Sequence, residues 1–231
     1  MKKRNSKRYK KILEKIKDKD KAALNVEDAL KKVKENATTK FDESIDVSMT
    51  LNLKKKKEEV NLRTVVNLPN GNGKKIKIAV LCEESKIDEA KKSGADTVGT
   101  QNLVDEITSG KINFDKLIAT PAMMSKMGKL GKILGPKGLM PNPKLGTVSN
   151  DVKKAVKSLK DGQIEIKNDK DGNLAASIGK KSFSDNKIIE NYKTLLQTIL
   201  KEKPDGIKGD FILSAFLTST MGVSYRLIIK G

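Results

Sequence analysis

The apolar positions of the chain follow two different patterns. In SIDVSMTLNL, apolar residues occupy every second position from Ile45 to Leu53, which predicts a strand with one buried face. A lysine-rich turn follows, and LRTVVNL, from Leu62, is predicted to return as a second strand. KIKIAVL and KLIAT are instead continuously apolar, a pattern typical of strands in a parallel sheet that is covered on both faces.

The segments between and after these strands also follow two different patterns. Helices are predicted from about Glu84 to Ser93, within QNLVDEITSG, from about Ala122 and within NDVKKAVKSLK. A short strand is predicted at ADTVG, and strands that alternate with helices in this way indicate βαβ units. From Gln163 the antiparallel pattern returns, because QIEIKN and NLAASIG flank DKDG as in a β-hairpin. A helix is predicted from about 186 to 203, and FILSAFLTST and VSYRLII are the last two strands.

The antiparallel pattern at both ends of the chain and the βαβ pattern between them predict a mixed α/β and α+β fold with two domains. A split α+β domain is expected from both chain ends, residues 1–69 and 160–231, and an inserted, Rossmann-like βαβ domain with a parallel sheet at 70–159. The chain would then cross between the domains twice, near 69–73 and 159–162. A single mixed domain would produce the same local patterns.

The charge balance favours a polyanionic partner. The chain of 231 residues has 48 Lys+Arg against 29 Asp+Glu, a formal net charge of +19. Such a surplus opposes compaction through self-repulsion, so nucleic acid is the favoured partner, ahead of mere solubility, lysine-rich codon usage or an acidic membrane surface. Residues 1–17 contribute nine basic side chains and one acid, with apolar residues at helical spacing, which predicts a basic amphipathic helix.

The amino-acid composition also excludes several kinds of catalytic and metal site. The chain has no histidine, which excludes Ser-His-Asp and Cys-His nucleophiles and His-ligated zinc. The single cysteine, Cys82, ends an apolar run and is interpreted as a buried structural thiol. Glu83 and Glu84 follow a predicted parallel strand, but without companion acids or bases they are interpreted as solvated acids at a helix start. No enzyme activity, metal or cofactor is expected, and no apolar run is long enough to span a membrane.

One glycine-rich stretch, MGKLGKILGPKGLMPNPKLGT at 127–147, does not fit an ordinary element. It holds five glycines, three prolines and four lysines without an acid, yet apolar residues are threaded through it. It is too broken for a long helix and too apolar for a flexible linker, which indicates an ordered loop.

The same stretch closely resembles the signature of the ribosomal protein L1 family, whose members lie on the mobile stalk of the large subunit. The resemblance extends along the chain through KFDES at 40–44, RTVVNLPNGNGK at 63–74, FDKLIATPAMM at 114–124 and TSTMG at 218–222. It implies a split domain with an inserted βαβ domain. It also implies binding of 23S rRNA at the stalk, assistance to deacylated tRNA that leaves the E site, and repression of the chain's own operon mRNA.

The resemblance further implies which residues contact rRNA. Its positions match, in this sequence, Phe41, Ser44, Thr220, Met221 and Gly222, with Lys40, Lys167 and Thr218 as weaker neighbours. A threonine hydroxyl can bind a ribose 2′-OH, and glycine lets backbone amides approach the RNA. For Phe41, its polar surroundings leave a core role and a nucleotide contact equally open.

Lys132, Lys137 and Lys144 in the glycine-rich stretch are hypothesised to face rRNA or the elbow of a departing tRNA. A purely structural cover over the end of the parallel sheet is the alternative, and the sequence leaves both open. A cytoplasmic, ribosome-bound protein is expected, with no membrane partner and no homo-oligomer off the ribosome. The rival classes are an enzyme of doubly wound type and a DNA-compacting protein.

Overall fold

The structure, a computed structural model, describes residues 6–16, 22–52, 62–204, 207 and 209–229. The chain divides into two compact units. The first, the split unit, comprises Met1–Gly73 and Ile164–Gly231; the second, the inserted unit, comprises Lys74–Gln163. The domain division expected from sequence lies four residues ahead of this one at both crossings.

The elements are numbered in chain order. The strands are β1 (Ser44–Leu51), β2 (Arg63–Asn67), β3 (Ile78–Leu81), β4 (Thr97–Gly99), β5 (Lys116–Ala119), β6 (Gln163–Lys167), β7 (Asn173–Lys180), β8 (Ile212–Ser219) and β9 (Tyr225–Arg226). The α-helices are α1 (Lys7–Lys15), α2 (Val26–Asn36), α3 (Ile87–Lys92), α4 (Gln101–Thr108), α5 (Met124–Met127), α6 (Gly131–Leu134), α7 (Val152–Lys160) and α8 (Asp185–Lys201). Within the described ranges, none of these helices has the length and apolar character needed to cross a bilayer.

The split unit is built on a sheet with the strand order β7–β1–β8–β9. The central strand β1 pairs antiparallel with both neighbours, so that Ile45 lies opposite Gly179 on one side and Ser219 on the other. Its predicted alternation is confirmed from Ser44 to Leu51, because every second residue is buried. Leu53 and the lysine-rich turn after it lie outside the described residues.

Helices α2 and α8 cover one face of this sheet and close the core of the split unit. Their apolar faces supply Leu30, Val33, Ile188, Leu195 and Ile199, each almost completely buried. The opposite face of β1 carries half-buried polar residues. The sheet therefore has one apolar face and one polar face, which is what strict alternation predicts.

Two predicted strand pairings are wrong. β2 pairs with β6 in a separate two-stranded sheet and not with β1. The DKDG segment does form a tight turn, in which Asp169 N–H donates to the Asn173 carbonyl at 2.8 Å, but the strands on either side of it join different sheets. A sequence such as DKDG predicts the turn itself. The pairing partner of each strand depends instead on which surface its apolar residues cover.

The inserted unit contains a parallel sheet with the order β4–β3–β5. Alternate residues of β3 point to opposite sides: Ala79 and Leu81 join a core with α4, while Ile78 and Val80 join a core with α3 and α7. Burial on both faces explains the continuously apolar strands. The two units together confirm the predicted fold class, an antiparallel α+β unit split by a parallel α/β unit.

Cys82 follows β3 and is completely buried, as predicted. Burial raises the pKa of its thiol, which keeps the sulfur in the unreactive protonated form at neutral pH.

Candidate nucleic-acid interface

Two distant chain segments meet at one end of the sheet in the split unit. Since β1 and β8 are antiparallel, the residues before β1 lie beside the turn that follows β8. The Thr220 hydroxyl accepts a hydrogen bond from Ser44 N–H at 3.0 Å, and Thr220 N–H donates to the Ser44 carbonyl at 3.1 Å. We call this end the Met221 surface and define it as Lys40, Phe41, Ser44, Thr220, Met221 and Gly222.

A buried carboxylate joins the two segments beneath this surface. Glu43 is fully buried, and one of its oxygens accepts from Thr39 N–H at 3.2 Å and from the Thr39 hydroxyl at 2.8 Å. The other oxygen accepts from Met221 N–H at 3.1 Å. Glu43 therefore ties the Phe41 segment to the Met221 turn through one side chain.

Glu43 stays ionised in this position. Burial raises the pKa of its carboxyl, but the Ser219 hydroxyl, the Thr39 hydroxyl and the two backbone N–H groups outweigh burial and hold the pKa below its ordinary value. The Ser219 hydroxyl lies beside the carboxylate without a well-aligned hydrogen bond of its own. The charge is thus stabilised by donors from both segments, Ser219 and Met221 on one side and Thr39 on the other.

Two large apolar side chains project from the Met221 surface. Phe41 is 53% exposed and Met221 is 51% exposed, although each belongs to a backbone segment that is firmly hydrogen-bonded. Exposed apolar groups on ordered backbone mark interaction sites more often than they mark incomplete folding. The core role considered for Phe41 is excluded by this exposure.

Cationic side chains surround the two apolar groups. The Arg8 guanidinium on α1 donates to the Met221 carbonyl and to the Thr38 hydroxyl, so α1 is held beside the turn. Lys180 donates to the Ser44 hydroxyl at 2.8 Å. Lys40 is exposed next to Phe41. An RNA that contacts the apolar groups would therefore find positive charge around them.

The remaining predicted residues of the split unit differ in position. Gly222 belongs to the turn, and a Cβ there would lie 2.3 Å from the Ser219 hydroxyl, so its glycine is required for close packing. Thr218 is half-buried and pairs with Asp46, just before the turn. Lys167 is exposed at the end of β6, beside the turn that leads to Asn173.

The structure does not bring Lys167 to the Met221 surface. β7 pairs Asn173 with Thr50, six residues along β1 from Ser44. At about 3.3 Å per residue, this end of the sheet is about 20 Å from Ser44. A contact by Lys167 would require an RNA that extends along the length of the sheet.

The glycine-rich stretch is a compact cover in the inserted unit. Its short helices α5 and α6, separated by a 3-10 turn, bury Met127, Leu130 and Leu134 against the parallel sheet. Gly138 and Gly146 adopt positive φ values of 67° and 69°, which other residues rarely tolerate. The helix expected from about Ala122 is broken into single turns.

The three lysines proposed for this stretch all point to solvent. Lys132, Lys137 and Lys144 are exposed, while Leu134 between them is buried and Ile133, Leu139 and Met140 are partly buried. Structural cover and charged outer surface therefore coexist in one segment. From residue 116 to residue 150 the chain holds six lysines and no acidic residue, so this part of the inserted unit carries positive charge only.

Sequence reasoning missed Glu43 and Arg8. Glu43 stands inside the quoted KFDES, but an acid in a polar segment gives no sign that it is buried. Arg8 is one of many basic residues near the start of the chain, and only its contact with Met221 distinguishes it. Among the residues that the structure describes, no group of three metal-binding side chains occurs.

Comparisons with known proteins show which sequences this chain is similar to. Residues 31–223 match the Ribosomal protein L1p/L10e family. The chain is 58% identical over 223 residues to the large ribosomal subunit protein uL1 of Pelagibacter ubique (strain HTCC1062), an alignment that covers 96% of each chain. It is 48% identical over 225 residues to the protein of the same name from Prochlorococcus marinus (strain NATL1A), with 97% of this chain and 94% of the relative covered. It is 46% identical over 203 residues to that of Rickettsia akari (strain Hartford), with 88% and 85% covered.

Proposed function

This chain belongs to the ribosomal protein L1 family, and on that premise we propose that it binds 23S rRNA at the stalk of the large subunit through the Met221 surface. As a member of this family it is a structural protein of the large ribosomal subunit. The role is one of binding, and we propose no enzymatic reaction.

The observation that carries the proposal is the exposure of Phe41 and Met221 on a fixed framework. Both side chains are about half exposed, and the backbone beneath them is held by Glu43 and by the Thr220–Ser44 hydrogen bonds. A surface that presents rigid apolar groups requires little ordering when it binds. Folded RNA offers sugars and unstacked bases that such groups can contact.

The surrounding charge supports the same partner. Arg8, Lys40 and Lys180 lie around the apolar pair, and the chain as a whole carries +19. Asp42, the exposed acid of this region, accepts hydrogen bonds from the Ser182 hydroxyl at 2.8 Å and from Ser182 N–H at 3.1 Å. Part of its charge is therefore neutralised by local donors, and the surface remains favourable for phosphate groups nearby.

We propose a second RNA contact on the inserted unit. Lys132, Lys137 and Lys144 project from a rigid cover that contains no acid, which suits a sequence-independent contact with the backbone of a deacylated tRNA at the E site. By such a contact the protein would assist release of the tRNA.

We further propose that the chain represses translation of its own operon mRNA. An mRNA site that mimics the stalk would bind the same Met221 surface, so ribosomal RNA and mRNA would compete for it. Repression would then follow from the balance between the two RNAs, without any additional site on the protein. The protein would act in the cytoplasm on the ribosome, without a membrane partner or self-association.

The test is binding of the purified chain to a fragment of the 23S stalk. We expect an affinity in the nanomolar range that falls as salt rises, because bound lysines release condensed counterions. An operon mRNA fragment should displace the rRNA fragment, and duplex DNA of equal length should not. Weak binding to both RNAs, or equal competition by DNA, would contradict the proposal.

A further inference from the structure

The backbone N–H groups of the turn at Thr220–Gly222 are all used within the protein. Their acceptors are the Ser44 carbonyl for Thr220, the Glu43 carboxylate for Met221 and the Ser219 carbonyl for Gly222, each at 3.1 Å. Anion sites made from backbone need unpaired N–H groups that point towards the anion. This turn therefore offers no free backbone N–H to a phosphate.

The charge beneath the turn also disfavours a phosphate at this position. Glu43 is fully buried and ionised directly under Met221, and a charge in a poorly polarisable interior is screened less than a charge in water. A phosphate placed on the turn would be repelled by this carboxylate. The cations that could bind phosphates, such as Arg8 and Lys40, lie beside the turn and not on it.

What the turn does offer is apolar surface and hydrogen-bond acceptors. Met221 and Phe41 are exposed, and the carbonyls of Thr220 and Gly222 accept from no described residue. Ribose 2′-hydroxyls and base amino groups are donors, and the faces of sugars and bases are apolar. These groups match the turn, whereas phosphate oxygens, which only accept, do not.

We infer that Glu43 is a positioning residue that holds the Met221 N–H of the turn, so that the turn binds the ribose and base of a nucleotide and not its phosphate. The inference rests on the proposed binding of rRNA and refines it. The phosphates of the same RNA bind the surrounding cations, while the turn binds the ribose and base.

The direction in which one substitution changes the affinity for RNA distinguishes this positioning role from a purely electrostatic one. Glu43→Gln removes a negative charge from beneath a surface that binds a polyanion, so electrostatics alone would tighten RNA binding. If Glu43 positions the turn, the glutamine amide has one oxygen to accept and an NH2 group that only donates, so Thr39 or Met221 loses its acceptor and RNA binding weakens. The two interpretations therefore predict opposite changes.

The experiment compares wild type, Glu43→Gln and Glu35→Gln for binding to the 23S stalk fragment over a range of salt concentrations. Glu35 is an exposed acid on α2 and is the matched control for loss of one charge. We expect Glu43→Gln to bind about tenfold more weakly, the loss that corresponds to one hydrogen bond to a charged group. Its salt dependence should stay unchanged because no phosphate contact is lost, and Glu35→Gln should bind as tightly as wild type or more tightly.

Amide hydrogen exchange supplies a readout at the positioned atoms. In Glu43→Gln, the N–H groups of Met221 and Thr39 should exchange faster, while those of the central strand β1 keep their protection. Should Glu43→Gln fold poorly, Thr39→Val removes one donor to the carboxylate without a change of charge and should weaken binding in the same direction.

Binding by Glu43→Gln that is equal to or tighter than wild type would overturn the inference and leave the proposed rRNA binding intact. A reduced salt dependence in the same variant would also overturn it, since that result would place a phosphate on the turn. Failure of wild type to bind the stalk fragment would instead contradict the proposed function.

Discussion

The hydroxyl of Thr220 accepts a hydrogen bond from the backbone N–H of Ser44 at 3.0 Å and lies 3.4 Å from the Ser44 carbonyl. Both contacts stay within the protein, so the hydroxyl acts first as a tie between the two halves of the split unit. Sequence reasoning assigned this hydroxyl to a ribose. In the structure its partner is the chain itself, and we propose the exposed Met221 beside it as the contact for RNA.

Replacement of Thr220 by valine should therefore cost both stability and affinity. Thr220→Val leaves Ser44 N–H without its acceptor, and we expect the free energy of unfolding to fall by about 1 kcal/mol and RNA binding to weaken about fivefold. Urea unfolding and titration with the stalk fragment measure the two effects. Thr194→Val, which removes a hydroxyl bound to the Glu190 carbonyl on α8, is the control and should leave RNA binding unchanged.

Met221→Ala should affect binding alone. The side chain is half exposed, so the free energy of unfolding should change by less than about 0.5 kcal/mol. Loss of its contact with a nucleoside should cost about 1–2 kcal/mol of binding free energy, with an unchanged dependence on salt. Leu213→Ala, at a site of similar exposure on β8, should bind like wild type. Equal losses in the two variants would show that exposure alone, and not this surface, matters.

Lys40→Ala should change the dependence on salt. Each phosphate contact that is lost should reduce the slope of log K against log salt concentration by about 0.7–0.9. Because Lys40 lies on the Met221 surface and Lys167 lies at the other end of the sheet, we expect a larger loss for Lys40→Ala than for Lys167→Ala. The reverse order would place the main RNA track along the β6–β7 side of the split unit.

Acid should weaken the tie made by Glu43. Because the pKa of Glu43 is lower in the folded protein than its ordinary value of 4.5, its contribution to stability is complete above that pH and is lost as the pH falls through the folded pKa. The stability advantage of wild type over Glu43→Gln should therefore be greatest near neutral pH and shrink on acidification below about 4.5. Thermal unfolding of both proteins between pH 3 and pH 7 checks this, and an advantage that grows on acidification would contradict it.

The lysines of the glycine-rich cover should act on tRNA and not on the stalk. We expect replacement of all three by alanine to leave binding of the rRNA fragment unchanged and to slow release of deacylated tRNA from ribosomes that carry the variant. The substituted residues are Lys132, Lys137 and Lys144. The matched control substitutes three exposed lysines elsewhere in the inserted unit: Lys92, Lys153 and Lys157. Equal slowing by the two triple variants would indicate a general effect of charge.

Local features of the fold could be predicted from sequence because they depend on local periodicity. The alternation in β1 and the continuous apolar run of β3 each fixed which faces are buried. Pairing could not be predicted in the same way: β2 and β6 form a separate sheet because of contacts between residues that are far apart in the chain.

The candidate site shows the same limit. Phe41 and Met221 were identified through resemblance, but the burial of Glu43 could not be foreseen, since it depends on Thr39 and Met221 meeting at one carboxylate. Sequence shows which groups are present, and the fold decides which of them are already occupied.

The tie between Ser44 and Thr220 spans 176 positions of the chain, which has a consequence for the order of events during synthesis. A nascent polypeptide holds the first half of the Met221 surface long before the second half has been translated, so no early fragment can display it. Only a chain translated past Gly222 could bind RNA through the surface proposed here. If the protein limits its own production through that surface, the signal that the cell measures is the number of chains translated past this turn, and products that stall before it are not counted.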